Sequence, residues 1–255
     1  MSVIRSFAKS CVVLFLGRES RPRKIVRGLA SGYRMRVSPA ENLGYLFGTV
    51  EPHLQKIIKD YVATGDTAYD IGANVGYVSL SLSKWIGNSG LVVAFEPVPR
   101  NIDCFRENIK MNRLANIQLL EMAASNRTGE TVIRISENLS MASLVWHQND
   151  PSAIEVAINT VAIDELVESG DLAYPRFVKI DVEGAEGCVL QGMHRTLAAA
   201  KPILFIECSD TGRETAWFLL QGLGYRCYLA KTRQRINEFE GYRHSDFLWL
   251  PPDVQ

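Results

Sequence analysis

The chemistry legible in this chain lies in a broken glycine pattern and the carboxylates around it. The stretch DTAYDIGANVGYVSLSL, residues 66–82, places Asp70 two residues before Gly72 and continues Ala73-Asn74-Val75-Gly76. Glu96 follows 20 residues after Gly76. Further along, KIDVEGAE carries Lys179, Asp181, Glu183 and Glu186, and Glu207 closes the apolar run PILFIE. A glycine-rich turn between a strand and a helix aims backbone N–H groups and the positive helix end at a ligand.

Which ligand is decided by the departures from the dinucleotide pattern G-x-G-x-x-G. Asn74 replaces the middle glycine, where a pyrophosphate needs close backbone approach. Asp70, at the strand's carboxyl end, repels a pyrophosphate and suits a cofactor with a cationic amino-acid portion, such as S-adenosylmethionine. Glu96 sits where a carboxylate takes ribose hydroxyls, equally for NAD or S-adenosylmethionine. An NAD-dependent oxidoreductase is therefore the disfavoured rival. A tight turn with no ligand, in a non-catalytic cofactor- or partner-binding module, is the other.

These residues need elements to hold them. Leu54, Ile57, Ile58, Tyr61 and Val62 have helical spacing. TAYDIG, LVVAFE (91–96), IQLLE (117–121), RFVKID (176–181) and PILFIE (202–207) read as buried strands. Ile102, Phe105 and Ile109 share a helical face. YVSLSLS alternates like a strand, but two adjacent parallel strands need a crossover there, which selects a helix. TVIRI and EVAINTV predict a β-rich excursion at about 130–160. AEGCVLQGMHRTL reads as one helix, RETAWFLLQGLG as another, and YRCYLA and DFLWL as late strands. The alternation predicts an α/β fold: a mostly parallel seven-stranded sheet with helices on both faces and an antiparallel edge pair at the C-terminus.

The segments YDIGANVGYVSLSL, VVAFEPVPRNIDCFRENIKMN, AASNRTGE, FVKIDVEGAEGCVLQGM and PILFIE occur in this order. Together they resemble the FkbM-type family of S-adenosylmethionine-dependent methyltransferases, over roughly residues 45–208. The resemblance implies the Rossmann-like methyltransferase fold and methylation of hydroxyl groups on sugars, polyketides and related metabolites. It implies that Asp70, Gly72, Asn74, Gly76 and Glu96 line the cofactor site and that Ala123 and Ala124 flank the adenine. Glu51, Ala73, Tyr77, Pro97 and Asp181 complete the expected cofactor set. Many relatives carry a histidine soon after the fifth-strand acid, whereas here Cys208 follows Glu207.

An alcohol acceptor must lose a proton to a base or a metal. Asp181 is the leading candidate base, with Glu183 beside it and His53 at the head of the helix before the cofactor strand. Asp181 and Glu207 are candidate ligands for Mg²⁺. Glu183 and Glu186 also fit acids that merely complement a helix start. Lys179, two residues before Asp181, lies on the same strand face and needs an acidic partner if buried. His147, beside Trp146, lies in the excursion that would cover the acceptor. His194 reads as structural and His244 has no evident partner.

Composition sets the bounds. The 255 residues are 47% hydrophobic and 22% charged with zero formal net charge, so no nucleic-acid partner is expected. Residues 1–40 nevertheless hold nine Lys/Arg against one acid, Glu19. This predicts a basic N-terminal extension over 1–44, ahead of a methyltransferase domain over 45–255. The apolar run Cys11–Leu16 is far shorter than the roughly 20 residues of a membrane span, leaving at most peripheral membrane contact. Five scattered cysteines without a C-x-x-C pair indicate a reducing, cytoplasmic setting. The expected partner is a small-molecule or glycosidic acceptor.

Overall fold

The computed structural model describes residues 19–135, 142–143, 153–208, 212–238 and 245–254. His147, Trp146 and His244 lie outside the described residues. In chain order, β1 (Arg21–Lys24) and β2 (Arg34–Val37) form an antiparallel hairpin. Helices α1 (Pro39–Phe47) and α2 (Pro52–Tyr61) follow. Then come β3 (Thr67–Ile71), α3 (Tyr77–Ile86), β4 (Leu91–Phe95), α4 (Pro99–Asn112) and β5 (Ile117–Leu120).

The excursion comprises β6 (Ala123–Ala124), β7 (Gly129–Ile135), β8 (Ala142–Ser143) and β9 (Ile154–Val161). The chain returns through α5 (Ile163–Glu168), β10 (Phe177–Ile180), α6 (Glu186–Gly192), α7 (His194–Ala200) and β11 (Ile203–Cys208). It closes with α8 (Arg213–Gly222), β12 (Arg226–Leu229), β13 (Arg235–Ile236) and β14 (Ser245–Leu250).

The main sheet runs β13-β12-β14-β11-β10-β3-β4-β5. Its five strands from β11 to β5 are parallel, and the apolar runs of β3, β4, β10 and β11 are buried on both faces. This is the Rossmann-like α/β architecture the strand–helix alternation predicts, with one correction. The sheet has eight strands, not seven, because the two-residue β13 adds to the edge. The two late strands β12 and β14 pair antiparallel at this edge as expected, with β14 lying between β11 and β12 and antiparallel to both.

Helices cover both faces. Leu54, Ile57 and Ile58 of α2 and Leu82 and Ile86 of α3 pack with Ala68, Val92 and Phe205 on one side. Val189, Leu190, Met193, Leu197, Trp217 and Leu220 pack with Tyr69, Ile71 and Val178 on the other. The N-terminal hairpin joins the first side: Ile25, Met35 and Val37 pack with Tyr77, Leu80 and Phe105.

The helix expected from AEGCVLQGMHRTL is broken. Met193 leaves helical geometry (φ −123, ψ 19), and a Cβ on Gly192 would run into the Ser125 carbonyl. The second piece is capped from elsewhere: Asp164 accepts from Arg195 N at 2.9 Å and Thr196 N at 2.7 Å. A carboxylate on the orphan N–H groups of a first turn stabilises a new helix start. The sequence reading also omits α1, the six-residue α5 and the β1–β2 hairpin. Cys208 and Cys227 are buried free thiols, as expected, but Cys188 is exposed. No helix among the described residues is long and apolar enough to cross a membrane.

Candidate cofactor and acceptor site

The turn after β3 is tied to the end of β4 by its own backbone. Gly72 N and Ala73 N both donate to the Phe95 carbonyl at 3.0 Å. Asn74, left-handed at φ 51, donates its N–H to Glu96 Oε2 at 2.7 Å. The other Glu96 oxygen accepts from Val98 N at 3.0 Å and Asn101 Nδ2 at 3.1 Å. Burial raises the Glu96 carboxyl, while the bonds from Val98, Asn101 and Asn74 pull it back. Gly76 starts α3 at φ 88, and a Cβ there would enter the Phe105 ring, so glycine is what lets α4 close on the turn.

Asp70 is fully buried. Its Oδ2 accepts from Ser79 Oγ at 2.5 Å, and its Oδ1 lies 3.5 Å from Lys179 Nζ. Lys179, directly across from Asp70 in the parallel β10–β3 register, also donates to the Gly72 carbonyl at 2.9 Å and pairs with Asp181 Oδ2 at 3.1 Å. One buried ammonium thus joins two carboxylates and the first glycine of the turn. Burial pulls its pKa down, but Asp181 and Asp70 push it further up, so it stays charged.

A cavity of about 310 Å³ opens at the carboxyl ends of β3, β4, β10 and β11. Gly72, Asn74, Glu96, Pro97, Ala123, Ala124, Asp181, Glu183 and Glu207 line it, from separate segments of the chain. Glu51, Asp70, Ala73, Gly76, Tyr77 and His53 are not on its wall. Among these, Asp70 acts from behind through Lys179, and Tyr77 stacks on Tyr45 with centroids 4.8 Å apart. The chain reading missed Asn101, Ile133, Ile158 and Val182, which also line the cavity.

The far end of the cavity is acidic. Glu207 is pushed up to about 8 by burial first, then by Asp181, Asp246 and Glu51. Glu207 and Asp246 face each other across β11 and β14. Burial also raises Glu51 and Asp246, and His53 pulls Asp246 down in part. The described geometry gives no support to Mg²⁺ at Asp181 and Glu207. Among the described residues no group of three or more His, Cys, Asp or Glu is placed to hold a metal ion, and Lys179 already occupies Asp181 Oδ2. His194 is exposed at the start of α7.

Comparison with known proteins turns this geometry into a family assignment. A methyltransferase FkbM domain matches residues 70–239, which span the cofactor turn, the excursion and the acidic end. The chain belongs to the FkbM methyltransferase family. Within reach of this FkbM protein is the hexuronic acid methyltransferase AglP of Haloferax volcanii, 29% identical over 165 residues, covering 60% of this chain and 61% of AglP. Methyltransferase 1 of Beauveria bassiana is 23% identical over 207 residues, 73% and 76% of the two chains. The crystal structure of methyltransferase FkbM from Methylobacillus flagellatus aligns at TM-score 0.48 and 21% identity, over 74% of this chain and 44% of that one. The chain thus spans less than two thirds of AglP and of the Methylobacillus protein.

Proposed function

We propose that this FkbM protein is an S-adenosylmethionine-dependent methyltransferase acting on a hydroxyl of a sugar, polyketide or related metabolite. The observation that carries the reading is Glu96. It is a buried carboxylate at the end of the second parallel strand, oriented by Asn74, Val98 and Asn101 on the wall of the cavity. A carboxylate at that point suits ribose hydroxyls. Asp181 and Glu183 also line the cavity, and Ala123 and Ala124 add apolar wall. These residues would hold S-adenosylmethionine, which would supply an electrophilic methyl group on a sulfonium.

The chain's own contribution is orientation, exclusion of water and proton removal. Asp181 is the carboxylate we assign as base. Lys179 holds its Oδ2, while the side chain stays 31% exposed on the cavity wall. Glu183, strained at φ 48, lies next to it as a residue for orienting the acceptor. His53 acts on the acid cluster through Asp246 and is assigned to that outer layer. Similarity to AglP, a hexuronic acid methyltransferase, supports a sugar acceptor.

Calorimetric titration with S-adenosylhomocysteine and, separately, NAD⁺ tests the cofactor. Micromolar binding of the first is expected, and binding of NAD⁺ alone would overturn the reading. For the base, Asp181→Asn should keep S-adenosylhomocysteine affinity and lose methyl transfer in an acceptor screen. An active Asp181→Asn enzyme would remove Asp181 from that role.

A further inference from the structure

The excursion sheet does more than decorate the fold. Its order is β6-β9-β7-β8, and β6 is Ala123–Ala124 itself, paired in parallel with Thr160–Val161 of β9. The cavity wall next to Glu96 is therefore built into this small sheet. Along β7 and β9 side chains alternate in and out. Val132 points outward and is exposed, whereas its neighbour Ile133 and, on the same face of the sheet, Ile158 are 4% and 6% exposed. The inward pair packs on Val98, whose N–H holds Glu96 Oε1, and both isoleucines line the cavity.

Ile158 and Pro97 also line a second hollow on the far side, bounded by Ile102, Arg106, Glu121 and Asn159. They form the partition that ends the cavity in this direction. If Glu96 takes the ribose, the cavity wall beside it offers the attached base an apolar surface of Pro97, Val98, Ile133 and Ile158, with Asn101 next to Glu96.

We infer that Ile133 and Ile158, carried in by the excursion sheet, form the apolar face that packs on the purine of the bound nucleoside. This inference rests on the proposed S-adenosylmethionine site and deepens it. An apolar wall with Asn101 beside it has the composition of a pocket in which packing gives affinity and one or two polar groups fix orientation. The excursion thereby belongs to cofactor recognition, not only to acceptor coverage.

Two measurements test it. In wild-type protein with labelled isoleucine δ1 methyls, nuclear Overhauser effects are expected from the adenine H2 or H8 of S-adenosylhomocysteine to Ile133 and Ile158, assigned through Ile133→Val and Ile158→Val. Bound ligand with no such effect to either methyl would overturn the inference. Ile133→Ala and Ile158→Ala should weaken S-adenosylhomocysteine and adenosine by the same factor, roughly 5- to 50-fold. Affinity within twofold of wild type in a folded variant, or loss for S-adenosylhomocysteine but not adenosine, would count against it. Wild-type protein that binds neither ligand would instead overturn the methyltransferase reading itself.

Discussion

Lys179 Nζ stands 3.1 Å from Asp181 Oδ2 and is all but fully buried. The same ammonium neutralises Asp70, which has no exposure at all and whose Oδ1 accepts no hydrogen bond. Removing one partner of a buried ion pair leaves an uncompensated charge and costs about 3–5 kcal/mol. Lys179→Met should lose stability of that order in urea melts. Adding Asp70→Asn should recover part of it. Equal stability of Lys179→Met and wild type would show that Asp70 is neutralised another way.

Gly72 holds φ 78, and a Cβ there would meet the Asp181 carbonyl oxygen. Gly72→Ala must therefore move either the cofactor turn or the strand end that carries Asp181. The expected outcome is loss of S-adenosylhomocysteine binding together with at least about 1–3 kcal/mol of stability. Normal binding by Gly72→Ala would mean that the turn is not part of the site.

Glu96 gives a pH dependence with a definite sign. Burial raises its carboxyl above the usual range, only partly countered by its hydrogen bonds. Its acceptor role toward ribose needs the ionised form. S-adenosylhomocysteine affinity should fall as pH drops from about 7.5 toward 5. Glu96→Gln should bind at least about tenfold more weakly at pH 7.5 and show a flatter profile. Calorimetry across this range reads both effects.

Glu207 should show itself in stability. Its carboxyl is pushed up from 4.5 to about 8, chiefly by burial, so the folded chain holds that proton more tightly than the unfolded chain. The associated stability is complete below pH 4.5 and is lost as pH rises through about 8. Glu207→Gln should match wild type near pH 4 and melt higher at pH 9, by about 2–4 °C for each kcal/mol recovered. A variant that melts lower than wild type at pH 9 would refute this assignment.

Much of this was legible in the chain because the signals are local. Asp70, Gly72, Asn74 and Gly76 lie within seven residues, so strand, turn and helix follow from apolar periodicity and glycine placement. Glu96 and Asp181 were legible for the same reason, each closing an apolar run of strand length. The pairing of Lys179 with an acid followed from two-residue periodicity and the cost of a buried, unpartnered charge.

Other features depended on contacts far apart in sequence. That Asp70 faces Lys179 and not the cavity is fixed by β3–β10 register, across more than 100 residues. The helix break at Met193 needs Asp164 and Ser125 from other segments. The insertion of β14 between β11 and β12, and the arrival of Ile133 and Ile158 beside Glu96, are likewise long-range pairings. The sequence by itself determined which elements form and which ends carry the acids, because backbone propensity and hydrophobic period act over a few residues. Only the tertiary structure decided which acids face the cavity and which stand behind it, because register and packing set a side chain's direction and its charge neighbours.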